Sequence, residues 1–157
     1  MLSIDLDSSD LVLLGRLQAD AREKLESLAA ETGLSVPTVQ RRLRRMREAG
    51  IIEAETVRLS PEALGFPMTF LVLVELERER LDHLDAFRRK ARAEPRIQQC
   101  YYITGEADFA LIVLARDVQD FEALTRRVFF DDPNIKRFRT SVAMDRTKVG
   151  LAVPIDG

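Results

Sequence analysis

Five arginines, Arg41, Arg42, Arg44, Arg45 and Arg47, fall within "TVQRRLRRMREAG", residues 38 to 50 of a chain whose formal net charge is only -2. A guanidinium fork matches the oxygens of a phosphate and the O6/N7 edge of guanine, so a row of them is chemistry for gripping a nucleic-acid backbone or reading a base. Thr38 and Gln40 open the same stretch and are short enough to probe base edges. Wound into a helix at 100° per residue, Val36, Val39, Leu43 and Met46 share about a quarter of the circumference. Arg41 is the centre of the opposite side, with Arg44, Arg45, Thr38 and Pro37 within about 60° of it and Gln40 and Arg42 at the flanks. Such a row is commonly just a solvated face, but over residues 37 to 48 the only acid is Glu48, so almost no i,i+4 neutralisation is expected.

The elements around this helix give it a role. After "LDSSD", where Asp7 or Ser8 can cap, Leu11, Leu14 and Leu17 recur at helical spacing to about Gln18. Leu25, Leu28 and Ala29 form one face of a second helix that stops at Gly33, where "TGLS" permits a left-handed turn and supplies Ser35 as the next cap. The arginine helix starts with Pro37 in its first turn and ends at Gly50. Helix, helix, glycine turn, helix is the order of a helix-turn-helix. Beyond it, "IIEAETVRL" predicts two short strands, with Ile51, Ile52, Val57 and Leu59, around "EAET", the wing of a winged helix-turn-helix. Glu53 and Glu55 suit that wing poorly to phosphate.

From residue 61 onward the pattern changes. "MTFLVLVELE", "IQQCYYIT", "FALIVLA" and "IKRFRTSVAM" read as strands. Leu81, Leu84, Phe87 and Ala91, and then Val118, Phe121, Leu124 and Val128, mark two helices between them. The order βαββαβ gives an antiparallel four-stranded sheet with both helices on one face. Strands such as "FLVLVEL" are apolar at both parities, so the second face also demands cover, and a two-fold dimer meets that demand most simply. The fold class is therefore α+β, with a winged helix-turn-helix over residues 1–60 and a ferredoxin-like domain over residues 61–157.

Bulk composition narrows the function classes. At 157 residues, 46% hydrophobic and 32% charged, the chain can bury a real core and has no apolar run long enough to span a membrane, so it reads as cytoplasmic. Residues 1 to 60 carry 9 basic and 10 acidic side chains, so any attraction to DNA is local to the arginine helix. One cysteine and one histidine exclude an intrachain disulfide and clustered zinc ligands. Cys100 reads as a small apolar group in a strand core, and His83 as a solvated side chain on a helix.

Taken together, "LDSSDLVLLGRLQADAR", "GLSVPTVQRRLRRMREAGII", "LGFPMTFLVLVEL" and "IQQCYYITGEADFALIV" resemble the leucine-responsive/asparagine-responsive (Lrp/AsnC) family of transcription regulators over nearly the whole chain. The resemblance implies a regulator that binds double-stranded DNA, needs no cofactor or metal, and dimerises through the ferredoxin-like domain into tetramers or octamers that bind a small amino acid at the seams. It places the DNA-binding residues at Ser35, Thr38, Gln40, Arg41, Arg42, Arg44 and Arg45. The family's effector turn matches "GEAD", hence Gly105 and Asp108, and the further ligand-response positions fall on Phe130, Ser141, Val142 and Ala143. The family's "SPT" start is "SVPT" here, Ala21 replaces a glycine, and Gln99, Cys100 and Tyr101 stand where "ECH" is frequent. A siroheme decarboxylase-like enzyme subunit shares the architecture, but its chemistry calls for histidines this chain lacks. A third reading is an amino-acid sensor that does not touch DNA.

Overall fold

The computed structural model describes residues 5–155, which divide into two compact units. One runs through Arg58 and regains the chain from Val149 onward, and the other is Leu59–Lys148. The sequence reading divides the chain at residue 60 and gives the tail to the second domain, whereas here the tail from Val149 groups with the first unit. Its anchor is a two-way amide clasp: Gln18 Nε2 donates to the Val153 carbonyl at 2.8 Å, and the Val153 N–H donates to Gln18 Oε1 at 2.8 Å.

The first unit contains α1 (Ser8–Ala19), α2 (Leu25–Thr32) and α3 (Val36–Glu48). Asp7 caps α1 in a capping box: the Asp10 N–H donates to Asp7 Oδ1 at 2.9 Å and the Asp7 N–H to Asp10 Oδ2 at 3.3 Å. Gly33, at φ 68°, closes α2 in the left-handed conformation the turn requires. Leu28, Val39, Leu43 and Met46 are all but fully buried, and from α1 it is Leu13 that joins them. The expected stripe of Leu11, Leu14 and Leu17 is rotated: Leu14 and Leu17 pack at the rim of this core.

No strand forms over residues 53–60, so the two strands expected around "EAET" are absent. Two of the backbone N–H groups a wing would pair are already in use. Gly50 adopts φ 73°, and the Ile51 and Ile52 N–H groups both donate to the Met46 carbonyl, at 2.9 and 3.2 Å. That C-terminal cap folds the two isoleucines back onto the three-helix core, while Val57 and Leu59 remain exposed.

The second unit contains β1 (Met68–Leu76), α4 (Leu81–Ala93), β2 (Ile97–Tyr102), β3 (Phe109–Ala115), α5 (Val118–Thr125) with a π-helical continuation (Arg126–Phe130), and β4 (Ile135–Val142). All pairings are antiparallel in the order β2-β3-β1-β4, the arrangement the βαββαβ reading implies. Alternation along the central strands sends Phe70, Val72, Val74 and Leu76, and Phe109, Leu111, Val113 and Ala115, into one core with Leu84, Phe87, Phe121 and Leu124. Phe70 stacks on Phe121 with ring centroids 3.8 Å apart, and Phe87 meets Phe109 at 4.5 Å. Leu81 and Val118, expected on the packed faces, are 77% and 57% exposed; each is the first residue of its helix.

The other parity is left open. Leu71 is 48% and Tyr101 51% exposed on the face away from the helices, and with Leu73, Ala110 and Ile112 they line a shallow apolar depression. Cys100 is exposed, not in the core, because β2 is an edge strand and its side chains lie at the sheet margin.

Candidate nucleic-acid interface and effector segments

Val39, Leu43 and Met46, with 0 to 2% of their surface exposed, fix the roll of α3 and turn its arginines outward. Gln40, Arg41, Arg44 and Arg45 are exposed, and Thr38 and Arg42 lie partly covered. Ser35 occupies the cap position, but its hydroxyl bonds the Thr38 hydroxyl at 2.9 Å and makes no bond to the helix backbone. The expected lack of acids around these arginines does not hold, since most of them are paired. Arg44 Nε donates to Glu48 Oε1 at 2.7 Å, and Arg47 Nη2 to Glu55 Oε1 at 2.5 Å.

The strongest pairing comes from α1. Arg42 Nη1 donates to Asp7 Oδ2 at 2.6 Å and to Asp10 Oδ1 at 3.0 Å, while Arg45 Nη2 donates to Asp10 Oδ2 at 2.6 Å. Asp10 is only 1% exposed. The Arg42 hydrogen bond holds the Asp7 carboxyl below its ordinary range, and Asp7 and then Asp10 push the Arg42 guanidinium up. Glu48 does the same to Arg44. Among the described residues, Arg41 alone of the five arginines makes no salt bridge. Asp7, Asp10 and Glu55 are the residues of this surface that a helical projection misses, because such a projection sees only neighbours on the same helix.

The candidate effector residues occupy two regions of the second unit. Gly105 and Asp108 form the β2–β3 hairpin, where Gly105 takes φ 116°, a conformation side chains disfavour. Asp108 is 9% exposed, and its Oδ2 accepts the Leu76 N–H at 2.6 Å while its own N–H donates to the Val74 carbonyl at 2.9 Å. It therefore stitches the hairpin to the end of β1. Ser141 and Val142, both exposed, pair with Leu71 and Phe70, and the Ala143 N–H donates to the Thr69 carbonyl at 2.9 Å, near the start of β1. Phe70 and Leu76 are six residues apart, roughly 20 Å of strand, so one chain does not bring the two groups together. Phe130 is 70% exposed and rests edge-on against Phe138 at 5.3 Å. The hairpin also reaches across the sheet: Arg139 Nη2 donates to Glu106 Oε2 at 3.2 Å, a pairing between β4 and the turn that sequence spacing does not reveal.

A three-helix unit of this kind presents its third element to the major groove of duplex DNA, which places the chain among helix-turn-helix DNA-binding proteins. Family models agree on both units: the AsnC-type helix-turn-helix domain matches residues 6–47, and the Lrp/AsnC ligand binding domain matches residues 69–153. The chain is 46% identical to the HTH-type transcriptional regulator y4tD of Sinorhizobium fredii, over 98% of this chain and 91% of the relative. It is 30% identical to the transcriptional regulator AzlB of Bacillus subtilis, over 99% of both. Among solved structures it superposes on the feast or famine regulatory protein of M. tuberculosis complexed with L-methionine, with a TM-score of 0.84, 27% identity and coverage of 97% and 100%. The chain belongs to the Lrp/AsnC family of DNA-binding transcription regulators. Its relatives are regulators and not enzymes, so the decarboxylase reading falls, as does that of a sensor without DNA binding.

Proposed function

We propose that this regulator works in the cytoplasm as a homo-oligomer whose assembly or DNA affinity is set by a small amino acid, with no cofactor. The observation that carries the proposal is the apolar sheet face of Leu71, Leu73 and Ile112, which no helix of its own unit covers. A second copy laid on it would bury both faces, and a two-fold dimer would present two α3 helices to successive major grooves. Arg41 and Arg44 would meet phosphate or guanine, and Thr38 and Gln40 base edges. Tetramers or octamers of such dimers would follow.

The separation of the effector segments fits the same reading. If Gly105 and Asp108 act on one ligand with Ser141, Val142 and Ala143, subunits must meet to complete the site, whereas Phe130 rests against Phe138, whose partner Val74 also takes the Asp108 N–H. The relative solved with L-methionine makes that class of ligand the first to test. Asp108 has committed one oxygen to the Leu76 amide and would offer the ligand ammonium its other one. A ligand that binds the folded state alone raises stability by mass action, about 2.7 kcal/mol at a hundredfold excess over Kd.

The test is a thermal-shift screen of the purified chain against the twenty amino acids, followed by sizing and DNA titration with any that stabilise. A stabilising amino acid that also changes mass or DNA affinity supports the proposal. Stabilisation by none of them at millimolar concentration defeats the amino-acid part and leaves the dimer to be judged by mass.

A further inference from the structure

The arginines of α3 are unequal in their freedom to meet DNA, and the inequality originates in α1. Asp10 closes the capping box of α1 and, with 1% of its surface exposed, also accepts one guanidinium on each oxygen, Arg42 on Oδ1 and Arg45 on Oδ2. Asp7 adds a second carboxylate to Arg42. Two carboxylates and two guanidiniums thus form a neutral cluster that ties the start of α1 to two positions one turn apart on α3.

We infer that Asp10 is a positioning residue for DNA recognition: it retains Arg42 and Arg45 as braces of α3 and leaves Arg41, with Arg44, to carry the phosphate contacts. The physical reason is the burial of the counter-charge. For Arg45 or Arg42 to swing to a phosphate, Asp10 must stay behind as a buried carboxylate with fewer partners, which is far more costly than parting an exposed pair. Arg44 and Glu48 form the exposed kind, with side chains 79% and 64% accessible, and part easily. Among the described residues Arg41 has no carboxylate to release. Four arginines that point outward therefore divide into two readers and two braces.

This rests on α3 being the DNA-reading helix, and the experiment separates the two ideas. Binding of the full-length chain to a random-sequence duplex is titrated over a salt series, since each phosphate contact contributes roughly 0.9 to the slope of log affinity against log salt. Arg41→Gln is expected to lower that slope by roughly 0.9 per recognition helix, whereas Arg42→Gln and Arg45→Gln leave it unchanged. Asp10→Asn, which frees Arg45 and leaves Arg42 on Asp7 alone, is expected to steepen the slope, tighten random-sequence binding severalfold, and reduce preference for a duplex selected by the wild-type chain. A merely structural Asp10 would weaken both kinds of binding without steepening the slope, and that result overturns the inference. So does a slope lowered as much by Arg42→Gln or Arg45→Gln as by Arg41→Gln. An unchanged slope in Arg41→Gln defeats the reading of α3 itself. Should Asp10→Asn fail to fold, the three arginine variants decide the matter.

Discussion

Leu71→Asp is the perturbation that most directly interrogates the open sheet face. Leu71 lies at the middle of β1, between Ile112 on β3 and Ser141 on β4, with 48% of its surface exposed. Full burial of a leucine side chain contributes roughly 1.5–3 kcal/mol, so covering the exposed half contributes about 1 kcal/mol. A two-fold interface uses the patch twice, giving about 2 kcal/mol from this residue alone, or about thirtyfold in dissociation constant. Aspartate forfeits that and adds two carboxylates to an apolar seam, at several kcal/mol more unless they ionise less readily. Weakening of the dimer by at least about a hundredfold is expected. Sedimentation equilibrium over a concentration series measures it, and Leu81→Asp, at a 77% exposed position that begins α4, is the matched control. Circular dichroism confirms that both variants fold. If Leu71→Asp retains the mass distribution of the parent chain, the sheet face is not the subunit interface.

Substitutions at three other positions test the remaining structural arguments. Asp108→Ala leaves the Leu76 N–H without its buried acceptor and is expected to cost about 1–3 kcal/mol in urea unfolding, with Asp108→Asn losing less because its carbonyl still accepts. A loss below about 0.5 kcal/mol would mean that the bond contributes little. Phe87→Ala empties a site that is 1% exposed against Phe109 and should cost about 3–5 kcal/mol by the same assay; an unchanged midpoint would contradict the packing of α4 on the sheet. Burial raises the Glu94 carboxyl, but hydrogen bonds from Arg127 and Arg96 outweigh it and leave the group below its ordinary 4.5. A depressed carboxylate contributes its stability above the unfolded value and loses it as pH falls through the folded one. The thermal midpoint should therefore decline below about pH 4.5, and Glu94→Gln should shrink that decline; an acid limb identical in the two chains would refute the assignment.

What the sequence made legible follows the range of each interaction. Helical and strand periodicity depend on residues a few positions apart, and they correctly placed five helices, four strands and the outward roll of α3. Misreadings began where a partner lay far along the chain. Nothing near Arg42 or Arg45 announces Asp10, which is 32 and 35 positions away, and the wing strands failed because the Ile51 and Ile52 amides found Met46 first. The apolar triplet Leu11, Leu14 and Leu17 looked like the face of α1, yet the tertiary packing selected Leu13. Cys100 was misplaced because alternation assigns a side chain to a face but does not say whether its strand is an edge.

The arginine row shows why that distinction matters for function. Its direction is a property of α3 alone, fixed by Val39, Leu43 and Met46 and readable from spacing. Its availability depends on where the opposing carboxylates sit and how deeply they are buried, so Arg45, paired to a carboxylate that is 1% exposed, and Arg41, with no partner among the described residues, differ although both point to solvent. Counting cations on a helix therefore overstates the charge it can deliver to DNA. The effective charge of α3 is closer to that of Arg41 and Arg44, and the capping box of α1, which in sequence looks like a helix start and nothing more, sets that limit.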